Sequence, residues 1–304
     1  MTYSVSLDAK LRSTRVGALR NALERKRCLR VMEAISPLAA LVVETSRVID
    51  EAGAELEYDG FWSSSLTDST MRGKPDIEIL DMRSRITNIN EIFESTCKPL
   101  IIDADTGGKS EHFAMNVVML ENAGVSAAII EDKTGLKKNS LIGNRFPQIQ
   151  EDPEKFSAKI ECACKARHSD EFMIIARIES LVLEKGMSDA TSRAQRYVDA
   201  GADGIMIHSK SAKPDEVLEF ASLFRARDGD TPLVCIPTTY NRIKFGELEQ
   251  AGFNVVIYAN HLLRAAYPAM TKVAADILKS GRSYEVEGQL FSIEEILRLI
   301  PGTA

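Results

Sequence analysis

The 304-residue sequence has few cysteines and no long hydrophobic run, and each shortage excludes a class of protein. Five cysteines in a chain of this length do not indicate a disulfide-rich secreted domain. No run of about 18 apolar residues is present, so no membrane-spanning helix is predicted. Residues 1–21 are polar and basic and contain no apolar stretch, so we expect no signal peptide and a cytoplasmic location.

The sequence also lacks an excess of basic residues. Its formal net charge is -6, which argues against binding to nucleic acid, because such proteins usually carry a basic patch or stripe. An anionic small-molecule substrate is not excluded, because a site can be locally positive or can contain a metal ion. No linker rich in glycine, proline or serine divides the chain. We therefore predict one domain, residues 1–304, that binds a small-molecule substrate and neither nucleic acid nor membranes.

Short apolar stretches alternate along the chain with longer amphipathic stretches. The predicted strands are Cys28–Met32, Asp59–Ser63, Leu100–Asp103, Ala127–Glu131, Phe172–Arg177, Gly204–Ile207, Leu233–Ile236 and Asn254–Tyr258. Strands that alternate with helices indicate parallel pairing through right-handed crossovers. Eight such units predict an α/β fold, a closed (β/α)8 TIM-type barrel, rather than a doubly wound sheet.

The amphipathic stretches predict the helices, among them Ser36–Ala52, Glu111–Ala123, Pro153–Arg167, Asp189–Ala200, Pro214–Phe224 and Phe245–Ala251. A small-residue pattern typical of a glycine helix C-cap precedes several strands. It occurs at Glu51-Ala52-Gly53, Asn122-Ala123-Gly124, Asp199-Ala200-Gly201 and Gln250-Ala251-Gly252. After the last strand, a long helix through Ser280 and a short one at Ser292–Leu299 are predicted.

Polar side chains follow the predicted strands, where the active site of such a barrel lies. They include Ser63, Ser64, Ser65, Asp103, Asp105, Glu131, Asp132, Arg177, Glu179, His208, Thr238, Thr239 and Asn260. Asp103, Asp105 and Glu131 would lie at one rim, where three carboxylates repel one another unless a cation is present. Magnesium prefers carboxylate and water oxygens, so these acids predict a Mg²⁺ site. The alternative is that they only cap the following helices.

Two basic residues and one long segment complete the predicted site. Arg177 is interpreted either as an ion-pair partner, for example of Glu179, or as a binder of substrate carboxylate or phosphoryl oxygens. His208 either contacts the substrate or is a helix cap or loop histidine. Residues 132–150 form a segment longer than a usual βα loop, so we predict a lid.

These motifs, in this order and spacing, resemble the phosphoenolpyruvate mutase and isocitrate lyase superfamily from about Val31 to the C-terminal region. The matching pieces are Val31–Ala34, Phe61–Leu66, Asp103–Gly107, Glu131–Lys133, Lys137–Leu141, Ala176–Glu179, Met206–Lys210, Pro237–Tyr240 and Ala259–His261. The resemblance implies a Mg²⁺-dependent barrel. It also implies a homo-oligomer, a tetramer or a dimer, in which C-terminal helices of about residues 260–304 are exchanged between subunits.

The resemblance also implies a role for each matching residue. Asp103 would bind Mg²⁺ directly, and Asp105, Glu131 and Asp76 would hold its water molecules. The catalytic residues so implied are Asp76, Lys137, Asn139, Arg177 and His208. The residues implied to bind the substrate carboxylate or to close over the substrate are Trp62, Ser64, Ser65, Leu66, Ser140 and Leu141.

The lid sequence separates the branches of this superfamily. Its lyases have a Lys-Lys-Cys-Gly-His type of lid whose cysteine acts in carbon–carbon cleavage, whereas this chain has Lys137-Lys138-Asn139-Ser140-Leu141. This stretch resembles the phosphonate branch and implies interconversion of phosphoenolpyruvate and 3-phosphonopyruvate in phosphonate biosynthesis. The alternative is a phosphonopyruvate hydrolase, which typically has threonine where Asn139 lies. A carbon–carbon lyase and a non-catalytic barrel are the remaining alternatives.

The sequence departs from the superfamily pattern at three places. Ser65 stands where the family often has glycine, the stretch Gly107–His112 is one residue shorter, and Ala54–Tyr58 resembles a small insertion before the second strand. None of these departures removes a residue with an implied catalytic role.

Overall fold

The computed structural model describes residues 15–141 and 146–300, which form twelve strands within those ranges. They are β1 (Leu29–Glu33), β2 (Arg47–Ile49), β3 (Glu55–Glu57), β4 (Gly60–Ser63), β5 (Leu100–Asp103), β6 (Ala127–Glu131), β7 (Lys133–Thr134), β8 (Ile149–Gln150), β9 (Met173–Ile178), β10 (Gly204–Ile207), β11 (Leu233–Cys235) and β12 (Val255–Tyr258). Eight of the strands are parallel and close into a barrel in the order β1-β4-β5-β6-β9-β10-β11-β12, with β12 paired to β1. The predicted (β/α)8 barrel is confirmed.

Helices surround the barrel and continue beyond it. They are α1 (Ala18–Arg25), α2 (Pro37–Thr45), α3 (Ser65–Met71), α4 (Met82–Ser95), α5 (Ser110–Ala123), α6 (Pro153–Ala166), α7 (Met187–Asp199), α8 (Asp215–Arg225), α9 (Phe245–Gln250), α10 (His261–Ser280) and α11 (Ile293–Leu299). The predicted glycine caps at Gly124, Gly201 and Gly252 are confirmed, with φ angles of 90°, 98° and 97°. None of the described helices is both long enough and apolar enough to cross a bilayer.

The barrel strands are buried on both faces, which explains their nearly continuous apolar sequences. In β9, Met173 and Ile175 belong to the cluster inside the barrel, whereas Ile174 and Ala176 belong to the layer under the helices. Side chains alternate between the two faces of a strand, so Arg177 continues the inward row. A charged side chain is thereby directed into the carboxyl end of the barrel.

The predicted helix Ser36–Ala52 is wrong in its second half. Helix α2 ends at Thr45, and the following Arg47-Val48-Ile49 forms β2, which pairs antiparallel with β3. Val48 and Ile49 are β-branched, which favours a strand, and Gly53 adopts a φ of 82° in the turn of this hairpin. Gly53 is therefore a hairpin glycine and not a helix C-cap. The insertion at Ala54–Tyr58 supplies the second strand of the hairpin.

Two helices next to the site, α3 and α4, were not among the predicted helices. Helix α4 is polar overall, and its N-cap residue is Asp81, whose carboxylate accepts a hydrogen bond from the Ser84 amide at 2.9 Å. Its buried face carries Ile89, Ile92 and the fully enclosed Arg85. An arginine in this apolar row hides the helical pattern from a reading by hydrophobic spacing alone.

Candidate active site

A small cavity lies at the carboxyl ends of the barrel strands. Every residue to which the resemblance assigns a role lines it except Asp105, whose carboxylate contacts Lys137 just behind the wall. Four other polar residues expected at the strand ends do not line it: Ser63, Asp132, Glu179 and Thr239. The lining also contains Ile236, Thr238, Ala259 and Asn260. The volume of the cavity is about 50 Å³, which leaves room for a few water molecules or one small ligand.

The acids at the end of β5 are held by neighbouring groups and not by the next helix. Asp103 Oδ1 accepts a hydrogen bond from the Asp105 amide at 3.0 Å, and its Oδ2 accepts one from the Ser65 hydroxyl at 2.9 Å. Asp105 has a φ of 57°, which is uncommon for a residue other than glycine. The N-cap position of α5 is Lys109, so neither acid caps that helix. The helix-cap alternative is therefore wrong for both.

Lys137 brings a positive charge from the predicted lid into these acids. Its ammonium donates to Asp76 Oδ1 at 2.9 Å and makes short contacts with Asp105 and with the Ser65 hydroxyl. Burial would raise the pKa of Asp103, but Lys137 and two nearby guanidinium groups lower it to about 2. The Ser65 hydroxyl, which a glycine would lack, thus connects the lid lysine with Asp103.

Glu131, at the end of β6, is 1% exposed. Among the described residues neither of its carboxylate oxygens has a hydrogen-bond partner, and its cationic neighbours are Lys133 Nζ at 3.2 Å and Arg177 Nη2 at 3.4 Å. Burial raises the pKa of Glu131 to about 7 in spite of these cations. A buried carboxylate with unused acceptor sites is suited to receive hydrogen bonds from metal-bound water.

The carboxylates of the site fit a magnesium ion only if water and substrate oxygens supply most of its ligands. Within residues 15–141 and 146–300, no three His, Cys, Asp or Glu side chains converge closely enough to hold an ion by themselves. Magnesium, however, commonly binds through one or two carboxylates and completes its octahedron with water and substrate oxygens. One direct ligand, Asp103, with Glu131 and Asp105 as acceptors for bound water, matches that form. The metal-binding set remains a prediction.

Arg177 and His208 form another part of the wall, next to Glu131, together with the buried carboxylate of Glu179. Arg177 Nε donates to Glu179 Oε1 at 2.5 Å, and its Nη2 donates to the Ser140 hydroxyl at 2.7 Å. His208 Nδ1 lies 2.9 Å from Arg177 Nη2 and 3.2 Å from Glu179 Oε1. Burial and the neighbouring Arg177 lower the pKa of His208, so its imidazole is neutral at pH 7. Arg177 is therefore an ion-pair partner of Glu179 and also lines the cavity.

The predicted lid has anchored ends. Strands β7 and β8 pair antiparallel at its base. Asp132 Oδ1 accepts from the Glu179 amide at 2.8 Å, and its Oδ2 accepts from the Gln150 amide group at 2.9 Å. Tyr197 and Arg193 of α7 donate to the same Oδ2 at 2.8 and 3.2 Å. Residues 142–145 of the predicted lid lie outside the described residues.

Asn139 connects the predicted lid with the acid side of the cavity, which is the side where Asp76, Asp103 and Asp105 lie. Its Nδ2 donates to Asp76 Oδ2 at 2.9 Å, and its Oδ1 accepts from the Leu141 amide at 3.0 Å. The primary amide is needed for both contacts, because one end donates while the other accepts.

Arg85 is a site residue that the sequence did not reveal. Its Nε donates to Asp68 Oδ2 at 2.8 Å, its Nη2 donates to the Ser63 carbonyl at 3.0 Å, and its Nη1 makes a short contact with the Asp103 carbonyl. It therefore connects the ends of β4 and β5 from behind the cavity. The N-cap Asp81, four residues earlier, was the available signal that a helix begins there.

Comparison with known proteins identifies relatives over almost the whole chain. The sequence model of the family described as phosphoenolpyruvate phosphomutase matches residues 19–278. The chain is 36% identical over 288 residues to a phosphonopyruvate hydrolase of Variovorax sp. (strain Pal2), with 94% of each protein covered.

Solved structures give the same two activities. The chain is similar to the phosphoenolpyruvate phosphomutase from Streptomyces platensis subsp. rosaceus, with a TM-score of 0.83 and 34% identity over 93% of this chain and 94% of that one. It is also similar to a phosphonopyruvate hydrolase in complex with oxalate and Mg²⁺, with a TM-score of 0.81 and 35% identity over 94% of each chain. A mutase and a hydrolase are thus about equally similar in fold and sequence.

Replacing Arg85 by methionine should lower the free energy of unfolding by about 3–5 kcal/mol, because the buried Asp68 would lose its counter-charge. Urea unfolding at fixed protein concentration measures the change. Arg83→Met, on the exposed side of the same helix, is the matched control and should change stability by less than about 0.5 kcal/mol. Equal stability of the two variants would contradict the structural role given to Arg85.

Proposed function

The chain belongs to the phosphoenolpyruvate phosphomutase family, and we propose that it interconverts phosphoenolpyruvate and 3-phosphonopyruvate. In the forward direction the bond between phosphorus and the enol oxygen breaks, and a bond between phosphorus and the former methylene carbon forms. Both sides of the reaction contain the same atoms, so no co-substrate is consumed. Water that entered between the two events would divert the reaction to pyruvate and phosphate, so the site has to exclude it.

The substrate carboxylate fits the start of α3. The amides of Ser65 and Leu66 are the first two of that helix and have no acceptor within it. Ser64 occupies the N-cap position, but its hydroxyl does not cap the helix. Trp62, inside the barrel and in the cavity wall, gives this end an apolar surface for the planar three-carbon skeleton.

A magnesium ion would be held at the acid side of the cavity by Asp103, with Asp105, Glu131 and Asp76 around its water molecules. When bound, it would stabilise negative charge on the carboxylate and enolate oxygens. The protein's contribution is to keep Asp103 ionised, since its pKa is lowered to about 2. The hydrolase relative that binds oxalate and Mg²⁺ supports this assignment.

The phosphoryl group fits the part of the wall that Arg177 and His208 form. Phosphoryl transfer commonly has a loose, metaphosphate-like transition state, so the protein mainly positions the group and neutralises its charge. Arg177 offers a guanidinium whose direction is set by Glu179, and His208 offers a neutral imidazole beside it. Lys137 and Asn139, which donate to Asp76 in this structure, would close over the bound group from the lid.

The contacts of the Asn139 side chain are the observation that favours a mutase activity over a hydrolase activity. Its side chain bridges Asp76 and the Leu141 amide, so it fills the lid side of the cavity with two fixed contacts. Threonine, which is typical of the hydrolases that the sequence resembles, has a shorter side chain and could not span both partners. We infer that asparagine helps to exclude the water molecule that a hydrolase needs.

Hydrolysis of phosphonopyruvate to pyruvate and phosphate is the second candidate. The 36% identity to the Variovorax enzyme favours it. The same binding groups would serve both reactions, and the difference would lie in whether water reaches the phosphoryl group.

Asp103→Ala should lose turnover and the magnesium requirement together, because the one direct ligand would be removed from a site rich in water. A readout that does not need turnover is thermal stabilisation by oxalate with Mg²⁺, which should be present in the wild type and absent in the variant. Asp199→Ala, at the exposed end of α7, is the control and should retain it. Wild-type stabilisation in Asp103→Ala would show that the metal is held elsewhere.

Asn139→Ala should lower the rate of isomerisation at least ~100-fold, on the scale of losing one transition-state donor. Asn139→Thr should lose isomerisation and gain slow release of pyruvate and phosphate, because the shorter side chain leaves room for water. Phosphonopyruvate is supplied with Mg²⁺, and phosphoenolpyruvate and pyruvate are measured separately. Unchanged isomerisation in both variants would remove Asn139 from the mechanism.

We further propose that the chain forms a homo-oligomer, a tetramer or a dimer, through its C-terminal helices. Helix α10 has twenty residues, and none of them is buried in the described chain. Its apolar side chains include Tyr267, Met270 and Leu278, which are 67%, 59% and 85% exposed. Apolar surface of this kind on a helix marks a protein interface, and an exchanged helix would cover it.

The wild type should sediment as a dimer or tetramer in analytical ultracentrifugation, and Leu278→Asp should shift the mass towards smaller species. The charge would lie in the apolar face and oppose its burial. Lys279→Asp, one position further along the same exposed helix, should keep the wild-type mass. A monomeric wild type would contradict the proposed assembly.

A further inference from the structure

Lys133, at the start of the lid, lies outside the cavity wall but contacts both limbs of the loop that covers it. Its ammonium donates to the Lys138 carbonyl, the Ser140 hydroxyl and Gln148 Oε1, each at 2.9 Å. Ser140 belongs to the limb that leaves the barrel, and Gln148 belongs to the limb that returns. A lysine ammonium has three donors, so all of them are used to join the two limbs.

The same ammonium is paired with acids beneath the lid. Glu131 Oε1 lies at 3.2 Å and Glu179 Oε2 at 3.6 Å, and the Lys133 side chain is 3% exposed. These two ion pairs add to the three hydrogen bonds of the ammonium, which are charge-assisted and therefore stronger than hydrogen bonds between neutral groups. Because these acids lie at the ends of barrel strands, Lys133 fixes the loop relative to the barrel and does not only join its two limbs.

The contact with Ser140 extends this fixation to the phosphoryl-binding wall. The Ser140 hydroxyl donates to Glu179 Oε2 at 2.6 Å and accepts from Arg177 Nη2 at 2.7 Å. Lys133 therefore determines where Ser140 lies, and Ser140 contacts both members of the ion pair that directs the guanidinium. Lys133 itself is not among the residues that line the cavity.

We propose that Lys133 is a positioning residue that holds the two limbs of the lid closed over the site. By holding the lid closed, the ammonium keeps water out of the site without contacting the substrate. The effect on products rests on the proposed mutase function, whereas the effect on the loop does not. Lys133→Met keeps the length of the side chain and removes its charge and all three donors.

The loop is probed with chymotrypsin, because Leu136, Leu141 and Phe146 are 64%, 40% and 52% exposed. Oxalate with Mg²⁺ should slow cleavage of the wild-type loop, and Lys133→Met should be cut at least ~10-fold faster in the presence of both, since the loss of one charge-assisted hydrogen bond already has that scale. Lys155→Met, an exposed lysine on α6, is the matched control and should keep the wild-type rates.

The kinetic arm measures kcat, KM and the product ratio from phosphonopyruvate. Lys133→Met should lower kcat at least ~10-fold with a smaller change in KM, and should raise the share of pyruvate. A variant that melts at a lower temperature but keeps the wild-type loop cleavage and product ratio would overturn the proposal, because a purely structural lysine has that signature.

A second variant covers failure of Lys133→Met to fold. Gln148→Leu removes one of the three acceptors and leaves the ammonium with its two acids. Faster cleavage of its ligand-bound loop supports the proposal, and wild-type cleavage overturns it. If the wild type itself released only pyruvate and phosphate, the mutase proposal would fail, while the chymotrypsin result would still decide the role of Lys133.

Discussion

The ion pair between Arg177 and Glu179 is the interaction on which the rest of the site depends. Both side chains are almost fully buried, and breaking such a pair by removing one partner typically costs about 3–5 kcal/mol. Burial would raise the pKa of Glu179, but Arg177 and then Lys133 hold it well below its usual range. Glu179 therefore stays charged and directs the guanidinium of Arg177. It also accepts a hydrogen bond from the lid residue Ser140. One carboxylate thus couples the barrel, the cavity wall formed by Arg177 and His208, and the loop above it.

On the acid side of the cavity, too, buried negative charges need positive charge close to them. Lys137 lies among Asp76, Asp103 and Asp105, and Glu131 is left with carboxylate oxygens that no described donor satisfies. Such an arrangement favours a divalent cation with water around it, and it disfavours an empty site closed off from solvent. Under the proposed function, a divalent cation beside the Arg177 guanidinium would suit a substrate with one carboxylate and one phosphoryl group. The small cavity then limits the carbon skeleton to a few atoms.

The barrel was predictable from the sequence because buried parallel strands are apolar on both faces. Leu100–Asp103 and Ala127–Glu131 needed no correction, and the acids at their ends could be placed at one rim. The hairpin after Thr45 was missed, because Val48 and Ile49 also fit an amphipathic helix. Arg85 was missed, because a buried arginine is found only when its partners on other strands are known. The contacts of Lys133 are set by the path of an irregular loop, which no periodic pattern describes.

The division between isomerase and hydrolase depends on whether water reaches the phosphoryl group, and both kinds of relative share this fold. Phosphorus NMR of the wild-type protein with phosphonopyruvate and Mg²⁺ tests the central claim most directly, because phosphoenolpyruvate and inorganic phosphate have separate signals. A resonance of phosphoenolpyruvate that grows to a constant ratio with phosphonopyruvate, without accumulation of phosphate, is the predicted result. Stoichiometric conversion to inorganic phosphate, with no phosphoenolpyruvate at any time, would contradict it.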